Sequence, residues 1–135
     1  MSMKKKIALV IVIIVILAAA GFAYTVWRNS KPPVVAQDCA TGVTTIAYTT
    51  QRSFLPACVK VASGTTITYY NQSDKTLEVG ADPHPIHNGN KEVSDGKFTL
   101  DIEPGRSATT TFTKKGTFGL HDHENASARA VVVVE

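Results

Sequence analysis

Hydrophobic positions fall into two regimes along this chain. From Ile7 to Trp27 they are nearly continuous: "IALVIVIIVILAAAGFAYTVW" carries no charge, and about 21 residues is roughly what a helix needs to cross ~30 Å of hydrocarbon. From Val43 onward, apolar and polar residues alternate instead. "CVKVASGTTITYYNQ" places Val59 and Val61, then Ile67 and Tyr69, two apart, with a break at Ser63-Gly64. "FTLDIEPGRSATTTFT" does the same with Phe98, Leu100 and Ile102, turns at Pro104-Gly105, and resumes toward Phe112. "VTTIAYTT", "GTFGLHDH" and "ARAVVVVE" add further segments rich in β-branched and aromatic residues. A period of two lines one face of a strand, and short strands between Gly, Pro, Asn and Asp turns predict an all-β sandwich or barrel. No amphipathic helical window follows Trp27.

The apolar run sets the expected topology. Lys4, Lys5 and Lys6 precede it, and only Arg28 and Lys31 follow closely, which favours an amino end in the cytoplasm. Residues 1–28 are therefore expected to be a single-pass anchor in the cytoplasmic membrane, with the rest outside the cytoplasm (periplasmic or extracellular). The alternative is a cleaved signal peptide, for which Ala18-x-Ala20 offers a site, but its apolar core is usually only ~7–15 residues. "NSKPPVVAQ", residues 29–37, reads as a semi-extended linker, which leaves residues 38–135 as the folded domain.

Charge and cysteine usage agree with that division. The net +3 arises in the leader and linker, which hold five of the 14 cations; from Asp38 onward nine cations face 11 anions. No basic patch remains to support nucleic-acid binding. The two cysteines, Cys39 and Cys58, lack a second cysteine or a histidine at short ligand spacing. They are expected to form a disulfide suited to an oxidising compartment, contributing about 3 kcal/mol for a loop of this size. Val59 and Val61 facing the core would turn Cys58 to the opposite face.

The four histidines form two pairs, His84 and His87 in "DPHPIH" and His121 and His123 in "HDH". In a strand, His121 and His123 project to one face and Asp122 to the other. Two imidazole pairs at strand ends are more than solvation requires. Together they would suit Cu(II), Zn(II) or Ni(II), with copper highest in the affinity series.

Longer stretches carry a family resemblance. "SFLPACVKVASGTTITYYNQSDKTLEV" resembles the opening of a cupredoxin of the plastocyanin and amicyanin group. "LDIEPGRSATTTFTKKGTFGLHDHENASARAVVVVE" resembles its closing half. The likeness spans about Val43 to Glu135 and implies a Greek-key β-sandwich with a copper site. It makes His84 the counterpart of the mid-chain ligand, but puts Asp122, Asn125 and Ala128 where the family has its Cys, second His and Met. Without the thiolate no blue-copper chromophore forms. "HPIH" and "HDH" also resemble the His-Pro-x-His and His-Cys-His elements of multicopper oxidases, with Asp122 in place of the Cys.

The expected metal ligands are therefore His84, His87, His121 and His123, all contacting or bordering one site. His84 carries the resemblance, while His87 is the one free to turn elsewhere. Asp122 is read as a carboxylate that fixes an imidazole tautomer rather than a ligand. The cofactor expected is copper, Cu(II) first and zinc second. No catalytic residue is assigned, since no general-base constellation accompanies the histidines. The chain thus reads as a membrane-anchored, non-blue copper protein for storage or delivery, working with a copper donor or acceptor protein. Its alternatives are a redox-active copper protein, for electron transfer with a redox partner or as a small oxidoreductase, or a metal-free structural or interaction module.

Overall fold

The computed structural model describes residues 1–6, 11, 13–19 and 38–135. The chain divides into two units, Met1–Val35 and Ala36–Glu135. In the first, residues 3–6, 11 and 13–19 are helical. Among the described residues no helix is long and apolar enough to cross a membrane. Residues 7–10, 12 and 20–37, on which much of the expected anchor and all of the expected linker fall, lie outside the described residues.

Two sheets make up the second unit. The strands are β1 (Ala40–Thr41), β2 (Thr45–Tyr48), β3 (Phe54–Leu55), β4 (Cys58–Val61), β5 (Thr65–Asn71), β6 (Leu77–Ala81), β7 (Leu100–Ile102), β8 (Ser107–Phe112), β9 (Gly116–Asp122) and β10 (Asn125–Val134). One sheet runs β1-β4-β10-β9-β6-β7 and the other β3-β2-β5-β8. A short 3-10 helix, Lys91–Ser94, interrupts the connection from β6 to β7.

Alternation explains the core. Val59 and Val61 of β4, Ile67 and Tyr69 of β5, Phe112 of β8, and Ala130, Val132 and Val134 of β10 are all buried. Each large side chain of this kind contributes about 1.5–3 kcal/mol when fully removed from water. Cys58 takes the other face of β4 and is bonded to Cys39, as expected. The Ser63-Gly64 and Pro104-Gly105 turns place Gly64 at φ +89° and Gly105 at φ +72°, where a Cβ is disfavoured.

Two local expectations change. Phe98 does not extend the Leu100–Ile102 alternation: it lies before β7 and is 53% exposed. His123 lies in the turn just past β9, and β10 begins at Asn125 rather than beyond the "ENASA" segment. The hairpin is tight because Asn125 pairs with Asp122, and a bulge between Asn125 and Arg129 absorbs the extra residues.

Candidate metal centre

The site is built on the outer face of the six-stranded sheet, where β6 and β9 run side by side. Pairing sets Gly80 against His121 and Val79 against Asp122. Val79, Ala81 and Leu120 fill the core, so Gly80 and His121 look outward, where the segment between β6 and the 3-10 helix folds over them. Glycine is required beneath it. A Cβ at Gly80 would lie 2.5 Å from Cε1 of His87, and one at Gly119 would lie 2.2 Å from Oδ2 of Asp82. His87 reaches this seat with φ +52°, a left-handed conformation uncommon for a non-glycine residue. Its N–H donates to the Pro83 carbonyl at 2.9 Å.

All four histidines converge here. One donor atom from each of His84, His87, His121 and His123 lies within 4.8 Å of the other three. Nε2 of His87 is 3.0 Å from Nε2 of His121. Nδ1 of His84 is 3.2 Å from the same Nε2 of His121, and Nδ1 of His123 is 3.2 Å from Nε2 of His87. His87 and His121 are thus at the middle of the cluster. His87 and His121 are fully buried, whereas His84 and His123 are partly exposed.

The partners behind the two central rings fix their tautomers. Nδ1 of His87 is 3.0 Å from the Phe98 carbonyl, which can only accept, so Nδ1 carries the proton. Nδ1 of His121 is 2.6 Å from Oδ1 of Asp82, and the same assignment follows. Both Nε2 atoms therefore present lone pairs to each other across 3.0 Å. Burial holds both imidazoles below their usual pKa, only partly opposed by Asp82 at His121 and by the Phe98 carbonyl at His87. They are neutral at neutral pH, the form that binds metals. Phe98 also stacks on the His87 ring, with centroids 4.4 Å apart.

This arrangement fits a metal ion. At the usual 2.0–2.1 Å from imidazole nitrogen, ligand angles of about 90–110° separate neighbouring donors by about 2.9–3.4 Å. The three close separations fall in that range. In the metal-free protein Nδ1–H of His84 and of His123 can donate to the two lone pairs; moving those protons to Nε2 turns all four donors inward without ionising any ring.

Asp122 has a different role from the one expected. It points inward, accepts the Tyr48 hydroxyl at 2.6 Å and is approached by the N–H groups of Glu78 and Glu124 at 3.3 and 3.4 Å. Burial, then the bond to Asp122, pushes the Tyr48 phenol up to about 12. The carboxylate that orients an imidazole is Asp82, itself held by Nη1 of Arg129 at 3.1 Å. Asp82, Arg129, Gly80 and Gly119 escape the sequence reading, and Phe98 enters it only as a strand residue. Only the glycines gave a signal, as small residues at outward strand positions beside histidines.

No protein-family model and no curated protein matches the chain. Solved structures do. A methionine-to-alanine amicyanin variant in its Cu(I) form is 23% identical, with a TM-score of 0.53, over 78% of this chain and 94% of that chain. A proline-to-alanine amicyanin variant in the oxidised state is 21% identical, with a TM-score of 0.53, over 70% and 83%. A purple cupredoxin from Nitrosopumilus maritimus is 15% identical, with a TM-score of 0.55, over 69% and 100%. At these identities the likeness shows the fold, which is the cupredoxin sandwich.

Proposed function

We propose that this cupredoxin-fold chain binds one copper ion through His84, His87, His121 and His123 in a non-blue centre, and that it stores or delivers copper. One observation carries the reading: two neutral, buried imidazoles whose tautomers are fixed from behind hold their lone pairs 3.0 Å apart. A bound cation takes the place of the His84 and His123 N–H groups as the partner of those lone pairs, and the same two rings complete its coordination. Four imidazoles suit Cu(II) first and Zn(II) second. The metal supplies Lewis acidity and, if copper, a one-electron couple; the protein supplies four donors, the Asp82 brace and the Phe98 cover.

Partial exposure of His84 and His123 suits exchange with a donor or acceptor protein. The His-Pro-x-His and His-x-His elements support the likeness to multicopper-oxidase ligands that lie beside the blue copper rather than on it. A redox role is the second reading, favoured by fold neighbours described in Cu(I) and oxidised forms. In the proposed setting the segment before Asp38 tethers the domain outside the cytoplasmic membrane. Carbonate extraction of membranes, with protease added from the outer side, tests that placement.

Copper competition against a chelator of known affinity, on the full chain, tests the binding role. One equivalent should bind and pass back to excess chelator without a change of oxidation state. Absence of stoichiometric binding contradicts the proposal, and a fast, reversible change of copper oxidation state moves the assignment to the redox reading.

A further inference from the structure

The outer face of the sheet continues past the histidine cluster into a row of carboxylates. Glu78 of β6 lies directly opposite Asp101 of β7, and the Glu78 carbonyl accepts the His123 N–H at 2.8 Å. Glu78, His123 and Glu124 each offer a donor atom within 4.8 Å of the other two. Like charges directly opposed across two strands destabilise a sheet, and among the described residues neither Glu78 nor Glu124 takes part in a salt bridge. Arg52 and Lys75 line the same surface depression as both glutamates, yet neither pairs with them.

His123 belongs to both donor groups. Its Nδ1 faces His87, and the ring is partly exposed, so it stands between the carboxylates and the buried rings. Two carboxylates and one imidazole form a mixed oxygen and nitrogen set that accepts hard and borderline divalent ions.

We propose that Glu78, Glu124 and His123 form the entry site for the metal, a donor set that takes a divalent cation from solution and passes it through His123 to the four-histidine centre. The proposal rests on the four-histidine reading for its destination, but not for the entry set itself. Occupancy is sequential: His123 exchanges the glutamate carboxylates for His87 and His121 as its fellow ligands. No bond to carbon changes and no electron is transferred.

Two measurements on the full chain test it. Stopped-flow loading with Cu(II), followed by the near-ultraviolet absorption of imidazole-bound copper, is expected to slow at least about tenfold in the Glu78→Gln, Glu124→Gln double variant. Chelator-driven release should slow to match, so that equilibrium affinity changes little. The slowing should persist at ~1 M salt, where the screening length is only about 3 Å and long-range attraction is lost. An unchanged rate, or a slowing seen only at low salt, overturns the proposal. Mn(II), which prefers carboxylate oxygen, probes the entry set without relying on the histidine centre: the parent should bind it, and the double variant should not. A parent that binds no Mn(II), or a double variant that binds it equally, overturns the proposal. If Mn(II) behaves as expected but no Cu(II) is retained, the four-histidine reading fails and the carboxylate site stands.

Discussion

Asp122 and its two histidine neighbours occupy consecutive positions but belong to opposite sides of the sheet. Inward, Asp122 meets the Tyr48 hydroxyl and two backbone N–H groups, so that each of its two carboxylate oxygens has a donor. Outward, His121 and His123 meet other imidazoles, and the lone pair of His121 has only the nitrogens of His84 and His87 for neighbours. A polar group satisfied by the fold needs nothing more, and it is structural. Imidazoles whose lone pairs are met only by one another's N–H groups can exchange those contacts for a cation. Strand periodicity separates the two roles within three residues.

The contrast breaks most severely when the outward pair is removed. In the His121→Ala, His123→Ala double variant, copper affinity should fall at least about a hundredfold, because two of four donors are gone; competition with a chelator measures this. Asp122→Ala breaks the inward side instead. It strands a buried phenol and should lower stability by about 1–3 kcal/mol in denaturant unfolding, while copper stoichiometry stays at that of the parent. Asp82→Ala sharpens the outward side by freeing the His121 tautomer. Copper affinity should drop about tenfold, at the lower end of what removing such a supporting carboxylate costs, with little loss of fold stability.

The smallest expected effect is on the pH dependence of the metal-free protein. His87 and His121 have lowered pKa values when folded and return to about 6.5 when unfolded. Between those values the unfolded chain binds more protons, so stability rises with pH. It should be complete above about pH 6.5 and decline as pH falls below it, by at most about 1.4 kcal/mol per pH unit for each ring. Thermal unfolding across this range should show the slope, and His87→Gln should reduce it.

Much of the sandwich was legible because its signal is local. Val59 with Val61, and Ile67 with Tyr69, announce their own core face, and Cys39 with Cys58 announce their own bond. Phe98 misled for the same reason: its spacing from Leu100 matched a strand, but the chain bends before β7 and the ring covers His87 instead. The histidine pairs stood out by type and clustering, and alternation correctly separated Asp122 from His121. What alternation could not supply was the partner behind each ring. Asp82 and His121 are 39 positions apart, and only the register of β6 against β9 brings them together. Asp122, the nearer carboxylate in sequence, was therefore read as the brace that Asp82 turns out to be.

The proposed centre holds one ion with four imidazoles and no thiolate. Electron paramagnetic resonance of the full chain loaded with one equivalent of Cu(II) tests it most directly, because nitrogen ligands split the copper signal. The expected result is a pale protein with a wide copper hyperfine pattern, splitting from several equivalent nitrogens, and loss of that pattern in the His121→Ala, His123→Ala variant. An intense blue charge-transfer band with a collapsed copper hyperfine, or a nitrogen pattern that survives in the double variant, would contradict it.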